Sequence, residues 1–465
     1  MPRRPTSTFR GYSAVRPLPW SLIVAALFHA CAQAPVNARL TRPLTEAEVN
    51  RERGLPAAKS DELSVVLSFS GGGVRAAALA YGVLETLAKI RVPDAAGSHR
   101  LLDDVSLISA VSGGSFTAAY YGLYGDRIFT DFEQDFLKRR VGRALLLRLA
   151  SPWNWPRLFW GSFGRSDLAA ELYDDLLFRQ ATFADINDHP GPTIAIQATD
   201  VIEGTRFGFS NHWFRLICSD LSRFPVSRAV AASAAFPIVF SPVVLRNYAG
   251  SCDYQEPPWI SEALAEGPEG GRLYQNAKHL RAYTDVSRHP RIYLIDGGIA
   301  DNLGLHRVLD AVTNRRSLKA LLRDRGTENV HRLAFIIVNA QTPPAGRWGL
   351  ANAAPGLVTM LDAVSSVQIN RYNFETVELL RRSITDWSKE FPRADGRGLD
   401  SYVVEVSFEQ LADEAERESF AGIPTAFDLP NAEVDGLRSV AHRILRSSPD
   451  FLLLLHDLGV TSDPE

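Results

Sequence analysis

Short runs of apolar and β-branched residues recur along this chain, and stretches with helical apolar spacing separate them. The first run, residues 63–69, precedes residues 76–90, in which apolar side chains recur at helical spacing. Further runs with the length and composition of buried strands lie at residues 105–111, 193–197, 291–295 and 333–338. Because buried strands that alternate with helices assemble into a parallel sheet covered on both faces, the pattern predicts a three-layer α/β/α fold with a mainly parallel central sheet.

One large domain accounts for this alternation better than several small ones, although 465 residues leave room for either. We predict a leader over residues 1–34, a polar linker over 35–62, the α/β domain over 63–310 and a helical extension of the same domain over 311–465. Two insertions interrupt the domain, and these are a tryptophan-rich stretch at 143–163 and a loop rich in glycine, proline and charge at 246–290.

Composition narrows the class of protein. Hydrophobic residues make up 46% of the chain, which excludes a disordered or collagen-like protein. The formal net charge of -3 lacks the basic excess of proteins that bind DNA or RNA, so no nucleic acid partner is expected. Three cysteines are too few for a disulfide scaffold or a paired-CxxC zinc module.

The first 34 residues have the order of a bacterial export signal. Arginines come first, an apolar stretch at residues 20–28 follows, and small residues flank Cys31. We expect an exported protein that is periplasmic or anchored to the membrane by a lipid on Cys31. The alternative is a cytoplasmic protein with an unstructured N-terminal tail. For Cys218 and Cys252, an oxidising compartment leaves a disulfide and two buried free thiols both open.

Residues 143–163 combine tryptophan and leucine with arginine. Trp153, Trp155 and Trp160 beside arginines are typical of a membrane–water interface, where amphipathic rings lie at the level of the lipid head groups. Two interpretations remain open. The stretch is either a lid or membrane-docking surface, or a helical cap whose aromatic side chains pack on the core.

Three glycines stand between the first strand and the first helix, in Ser70-Gly71-Gly72-Gly73-Val74-Arg75. Backbone N–H groups at a helix N-terminus bind anions, either a phosphate or the oxyanion that develops during acyl transfer. The loop matches neither a Walker motif nor a dinucleotide fingerprint, and an ordinary tight turn is the simpler interpretation of it alone.

Ser112 follows the strand at 105–111, within Ala110-Val111-Ser112-Gly113-Gly114. A nucleophile elbow places a serine at a strained strand-to-helix turn and needs small residues two positions before and after it. Ala110 and Gly114 meet this steric demand. The motif therefore makes Ser112 a candidate nucleophile, although a pentapeptide of this kind is also compatible with a plain turn.

Asp296 follows the strand at 291–295 and precedes Gly297 and Gly298. Open α/β sheets bind their ligands at the carboxyl ends of their strands, where this carboxylate is expected. An Asp-Gly pair is otherwise a common turn sequence. Asp296 is thus a candidate catalytic residue only in combination with the other two motifs.

Together, the three motifs resemble the signatures of the patatin-like phospholipase family. Those signatures are a Gly-Gly-Gly-x-Arg/Lys loop, a Gly-x-Ser-x-Gly elbow and an Asp-Gly-Gly/Ala turn, and the motifs here follow in the same order. Residues 231–237 are also similar to a structural segment common in these enzymes, and the resemblance covers about residues 63–305. The single departure is Ala110, where the family has glycine.

The resemblance implies a patatin-like fold and a serine hydrolase that acts on phospholipids or other acyl lipids at a membrane surface. Ser112 would attack the ester carbonyl, with Asp296 as its direct general base. The oxyanion would be stabilised by the glycine loop, which consists of Gly71, Gly72, Gly73, Val74 and Arg75. Arg75 would either add positive charge near the loop or form a surface salt bridge. Gly113, Gly114, Gly297 and Gly298 would support the two turns. No metal or organic cofactor is required.

Three other functions are compatible with parts of the pattern. An α/β-hydrolase esterase could complete a Ser-His-Asp triad with His306, although a solvated or capping role suits that histidine better. A non-catalytic lipid-binding envelope protein would retain the fold without the reaction. A phosphate- or nucleotide-binding module would use the glycine loop and leave Ser112 and Asp296 without a role.

Overall fold

The structure, a computed structural model, describes residues 36–43, 62–94, 97–159, 163–341, 357–391 and 398–460. The leader at 1–34, Cys31 and Trp160 lie outside the described residues. None of the helices in the described part combines the length and apolar content that crossing a membrane requires.

In chain order, the strands are β1 (Leu63–Phe69), β2 (Arg91–Asp94), β3 (Gly97–Arg100), β4 (Val105–Val111), β5 (Thr193–Asp200), β6 (Thr205–Phe209), β7 (Val243–Arg246), β8 (Arg291–Ile295), β9 (Arg332–Asn339) and β10 (Asp400–Ser407). The α-helices are α1 (Gly73–Lys89), α2 (Gly113–Tyr124), α3 (Ile128–Phe132), α4 (Val141–Ala150), α5 (Trp155–Phe159), α6 (Arg165–Tyr173), α7 (Phe183–Asp188), α8 (Asn211–Leu216), α9 (Val226–Ser233), α10 (Pro258–Glu266), α11 (Gly271–Ala282), α12 (Gly298–Asp301), α13 (His306–Thr313), α14 (Leu318–Asp324), α15 (Leu357–Ser388), α16 (Glu414–Ala421), α17 (Asn431–Ser447) and α18 (Pro449–Asp457).

The described strands form an eight-stranded mixed sheet with the order β10-β9-β1-β4-β5-β8-β7, and β6 pairs with β5. The pairs from β10 to β5 are parallel, whereas β6, β7 and β8 pair antiparallel. The predicted fold class is therefore confirmed. Strands β1 and β4 have the predicted bounds, and both end next to the glycine-rich motifs.

The two faces of the sheet bury different sets of apolar side chains, as the period of two along a strand requires. In β9, Ala334, Ile336 and Val338 pack into the larger apolar cluster with helices α1, α2 and α17. Leu333, Phe335 and Ile337 face a smaller cluster with α13, α14 and α15. Helices thus cover both faces, which gives the three layers.

The region after residue 310, predicted to be a helical extension, contains the predicted strand at 333–338 as part of β9 and one further strand, β10. It supplies β9 and β10, which pair in parallel and extend the sheet from β1. Its helix α17 packs against α1. This region is therefore structurally continuous with the sheet that carries the motifs.

Two predictions about loops are wrong in part. Residues 246–290, expected to be a surface loop, contain α10 and α11, because Ile260, Ala263, Leu273, Ala277 and Leu280 bury one face of these helices. Residues 36–43, expected to be part of a linker, lie against the domain, where the Leu40 N–H donates to the Cys218 carbonyl. Cys218 itself forms a disulfide with Cys252, with their Cα atoms 5.6 Å apart.

A close approach between α1 and α17 depends on Gly82. A Cβ atom added there would lie 2.6 Å from the Arg438 carbonyl oxygen and 2.9 Å from the Ala441 Cβ. We expect Gly82→Ala to force the helices apart and lower the stability by about 1–3 kcal/mol, measured as a lower melting temperature.

Gly436→Ala is the matched control for this prediction, because Gly436 also lies within a helix of the same pair. Its added Cβ would find its nearest neighbour, a Phe420 ring atom, at 3.5 Å. We expect a gain of about 1 kcal/mol from helix propensity. Equal losses in the two variants would show that the approach at Gly82 is unimportant.

Candidate active site

Ser112 lies at the sharp turn between β4 and α2 and has a backbone conformation that side chains rarely adopt, with φ 48° and ψ -120°. Its N–H donates to the Ser233 hydroxyl at 2.8 Å, and its carbonyl accepts from the Ser115 N–H at 3.0 Å. A Cβ at Gly113 would lie 2.1 Å from the Gly73 carbonyl oxygen, so only glycine fits there. The strained turn is thus held by specific partners, as at many functional sites.

Ser112 and Asp296 are brought together from positions 184 residues apart. The Ser112 hydroxyl donates to Asp296 Oδ2 at 2.8 Å, and the Gly298 N–H donates to Asp296 Oδ1 at 2.8 Å. Both side chains are almost buried, with Ser112 8% exposed and Asp296 7% exposed. The distance and the donor direction are those that a serine nucleophile and a general base need.

Burial raises the pKa of Asp296 from its ordinary value of 3.8 to about 6, because the carboxylate loses hydration. The hydrogen bonds from Gly298 and Ser112 act in the opposite direction, since they favour the charged form. The carboxylate is consequently a stronger base than an exposed aspartate and is still ionised at neutral pH.

Residues 233–235, at the end of α9, form hydrogen bonds with the turns that carry both catalytic candidates, Ser112 and Asp296. The Ser233 hydroxyl accepts from the Ser112 N–H and donates to the Gln197 carbonyl at 2.6 Å. The Ser233 and Ala235 carbonyls accept from the N–H groups of Gly297 and Asp296, each at 3.0 Å. Sequence analysis noted this stretch only as a structural segment and missed the linking role of Ser233.

The glycine loop offers fewer free donors than its sequence indicates. The Gly71 N–H donates to Asn302, and the Val74 N–H donates to the Ala426 carbonyl at 2.9 Å. Within the described residues, the N–H groups of Gly72 and Gly73 have no hydrogen-bond partner. Because the Gly113 backbone lies against Gly73, the Gly113 N–H is a further donor next to Ser112 that sequence analysis did not assign.

Arg75 is buried beside the glycine loop, and a Cβ atom added at Gly72 would lie 3.5 Å from Arg75 Nη2. Arg75 is 2% exposed and its guanidinium donates to the Ile423 carbonyl and, at 3.0 Å, to the Thr425 hydroxyl. The side chain therefore joins α1 to the segment before α17. Its contribution is to position the loop.

His306 is not part of a triad with Ser112. Its Nδ1 lies 3.2 Å from Asp301 Oδ1, and its Nε2 lies 3.0 Å from the Tyr372 hydroxyl. The side chain is also buried, so the prediction of a solvated or capping histidine is wrong. In the part of the chain that the structure describes, Asp296 is the only side chain that bonds to the Ser112 hydroxyl.

An apolar cavity of about 320 Å³ lies beside the glycine loop. Leu145, Leu146 and Leu149 of α4 form one wall, and Val239 and Phe240 form another. The cavity reaches Ala426, whose carbonyl accepts from the N–H group that follows Gly73. Neither Ser112 nor Asp296 lines this cavity.

Comparison with family models matches residues 67–309, more than half of the chain, to the family described as patatin-like phospholipase. A search of curated proteins finds none that matches.

Among solved structures, human GIVD cytosolic phospholipase A2 in complex with a methyl gamma-linolenyl fluorophosphonate inhibitor and terbium chloride aligns with 13% identity and a TM-score of 0.40. The alignment covers 91% of this chain and 66% of that one, so this chain spans just under two thirds of its length. VipD from Legionella pneumophila aligns with 12% identity and a TM-score of 0.24, over 82% of this chain and 67% of that one.

The raised pKa of Asp296 predicts a pH-dependent cost to folding. The charged carboxylate is less favourable in the folded chain, so stability falls as the pH rises from about 4 to about 6, and the full cost persists above that range. A shift of about two pKa units corresponds to at most about 3 kcal/mol. We therefore expect Asp296→Asn to raise the melting temperature at pH 8 much more than at pH 4, where little of the cost is present.

Asp285→Asn is the control, because hydrogen bonds lower the pKa of Asp285 and its charged form is favoured in the folded chain. We expect this variant to melt no higher than the wild type at pH 8. An Asp296→Asn effect of equal size at pH 8 and at pH 4 would contradict the cost assigned to the buried charge.

Proposed function

This chain belongs to the patatin-like phospholipase family, and we propose that it hydrolyses carboxylic esters of acyl lipids through Ser112 and Asp296. The observation that carries the proposal is the 2.8 Å hydrogen bond from the Ser112 hydroxyl to the buried Asp296 carboxylate. The strained turn at Ser112 and the free N–H groups beside it support the other two requirements of acyl transfer, which are a positioned nucleophile and an oxyanion site.

In the first half of the reaction, Ser112 Oγ attacks the ester carbonyl carbon while its proton passes to Asp296. The carbonyl oxygen becomes an oxyanion, and the N–H groups of Gly72, Gly73 and Gly113 stabilise it. The bond to the leaving alcohol then breaks, and Asp296 returns the proton to the departing oxygen. An acyl group remains on Ser112.

In the second half, water replaces the alcohol. The oxygen of water attacks the acyl carbon while Asp296 accepts a proton from the water. The bond between the acyl carbon and Ser112 Oγ then breaks, and Asp296 passes the proton to Ser112 Oγ. A fatty acid is released and the serine is restored. These steps need no metal or organic cofactor, because the aspartate and the backbone donors supply the base and the electrophilic stabilisation.

Phospholipids or lysophospholipids are the proposed substrates. The family supports this class of substrate.

The dyad is tested by three single variants in an ester-hydrolysis assay. We expect Ser112→Ala and Asp296→Ala each to lower kcat/KM by about 1,000-fold or more, because each removes a group that acts only in the transition state. His306→Ala should retain most of the activity. Because Asp296 must be ionised, kcat/KM of the wild type should rise with pH up to about 6 and then level off.

Labelling by a fluorophosphonate probe completes this test. Loss of activity in His306→Ala would favour the Ser-His-Asp alternative, and retention of activity in Asp296→Ala would exclude Asp296 as the base. A wild type that the probe does not label would favour a non-catalytic lipid-binding protein. Labelling that persists in Ser112→Ala would place the nucleophile elsewhere.

A membrane is proposed as the partner that presents the lipid. Apolar side chains on α4, α5 and the turn between them point to solvent, and the most exposed are Leu146 (67%), Leu147 (63%), Trp153 (89%) and Phe159 (60%). We call these four, with Trp155, the docking surface. Packing of the described aromatic side chains on the core, the alternative interpretation of this stretch, is therefore not observed.

The charge of this region favours an anionic bilayer as the partner. Between Asp135 and Asp167 the sequence has no acidic residue and contains Lys138, Arg139, Arg140, Arg143, Arg148, Arg157 and Arg165. Basic side chains attract anionic head groups, while tryptophan and leucine enter the interface. Leu146 also lines the apolar cavity, so the docking surface adjoins that cavity.

We expect a double variant, Trp153→Ser with Leu147→Ser, to weaken sedimentation with phosphatidylglycerol vesicles at least tenfold. Hydrolysis of a soluble short-chain ester should change less than twofold, since neither residue contacts Ser112.

The control for vesicle binding is Leu452→Ser with Leu453→Ser. Both leucines are 52% exposed and lie on α18, which packs on β10. Equal loss of vesicle binding in the two double variants, or equal loss of binding and hydrolysis in the first, would overturn the assignment.

A further inference from the structure

A separate cavity of about 380 Å³ lies among β6, α8, α11, α13 and α14. Its volume falls within the range of about 300–1,000 Å³ that is typical of ligand pockets. The side chains that line it include four arginines, Arg206, Arg307, Arg315 and Arg325, and only two acidic residues, Asp310 and Asp324. The wall of this cavity therefore carries an excess of two positive charges.

Both acidic residues are already engaged in ion pairs. Asp310 Oδ2 lies 2.8 Å from Arg206 Nη2, and Asp324 Oδ2 lies 2.7 Å from Arg315 Nε. Arg325 makes no side-chain hydrogen bond or ion pair with any residue that the structure describes. Its guanidinium lines the cavity with all of its donors available to a ligand.

Two side chains that line the cavity, Arg325 and His212, have lowered pKa values. Burial, followed by the charges of Arg307 and Arg315, lowers the pKa of Arg325 to about 9. Burial, followed by Arg307 and Arg206, lowers the pKa of His212 to about 4, so this histidine is neutral at pH 7. Burial is the larger cause of both shifts, and the neighbouring arginines add a repulsion that an anion in the cavity would relieve.

The cavity is distinct from the candidate active site. Arg307 and Arg325 also line a neighbouring cavity of about 220 Å³, which includes Thr193 and Ile194 at the beginning of β5. Ser112 follows the opposite end of the paired strand β4. These arginines therefore stand between two cavities, away from the ends of the strands that carry the nucleophile.

We propose that the arginine-lined cavity binds a phosphate group, carried by a lipid head group or by a soluble organic phosphate. A phosphate dianion would balance the excess of two charges, which a single carboxylate would not. Its oxygens also match the fork of N–H donors that a guanidinium presents. The proposal goes beyond ester hydrolysis and does not depend on it, so binding is measured on the Ser112→Ala protein.

Titration calorimetry with inorganic pyrophosphate tests the soluble source, and flotation with phosphatidate-containing phosphatidylcholine vesicles tests the lipid source. We expect Arg325→Gln and Arg307→Gln each to lower the affinity for at least one probe tenfold or more. Arg323→Gln should leave both affinities unchanged, because Arg323 lies on α14 and is exposed outside the cavity.

Thermal melting separates a lost site from a misfolded variant. In phosphate-free buffer, Arg325→Gln should melt no lower than the wild type, because the substitution removes a repelled charge. Where pyrophosphate binds, it should raise the melting temperature of the wild type and not that of Arg325→Gln. Binding of either probe that depends on Arg325 and Arg307 would support the site, and the probe that binds would identify the source of the phosphate. Absence of binding, or equal binding by wild type and both arginine variants, would overturn it.

Discussion

The hydrogen bond between Ser112 and Asp296 is the interaction on which the candidate site depends, and it joins the ends of β4 and β8, which β5 separates in the sheet. Both side chains are almost buried. Burial makes the aspartate a stronger base, and the same burial makes its charge costly to the fold. The cost is tolerated because Gly298 and Ser112 donate to the carboxylate and because Ser233 holds both turns in place. Burial of Asp296 is therefore the cause both of its strength as a base and of the cost of its charge to folding.

The site also depends on parts of the chain beyond the segment that the family shares. Residues 423–426 accept hydrogen bonds from Arg75 and Val74, and thereby hold the glycine loop from the side opposite Ser112. Strand β9 pairs with β1 along its whole length, so the strand that carries the loop is central in the sheet. The C-terminal region thus contributes to the geometry of the site as well as to the core.

Local sequence patterns were sufficient to predict the elements whose bounds are set by residues next to one another in the chain. Strands β1 and β4 were predicted with their observed bounds, because apolar runs that end in glycine have few alternatives. Local patterns failed for α10 and α11, where charged and glycine residues obscured a buried face. The hydrogen-bond partners of Arg75 were also not predicted, because Thr425 lies 350 residues away along the chain.

The sequence by itself determined the α/β layers through periodicity and made Ser112 a candidate through the steric demands of its turn. It made Asp296 a candidate only through the order of the three motifs and the family that this order resembles. Only the tertiary structure decided which donors of the glycine loop are free, what raises the pKa of Asp296 and where four arginines meet around one cavity. Those properties come from desolvation and from contacts between distant segments, and neither can be inferred from local sequence.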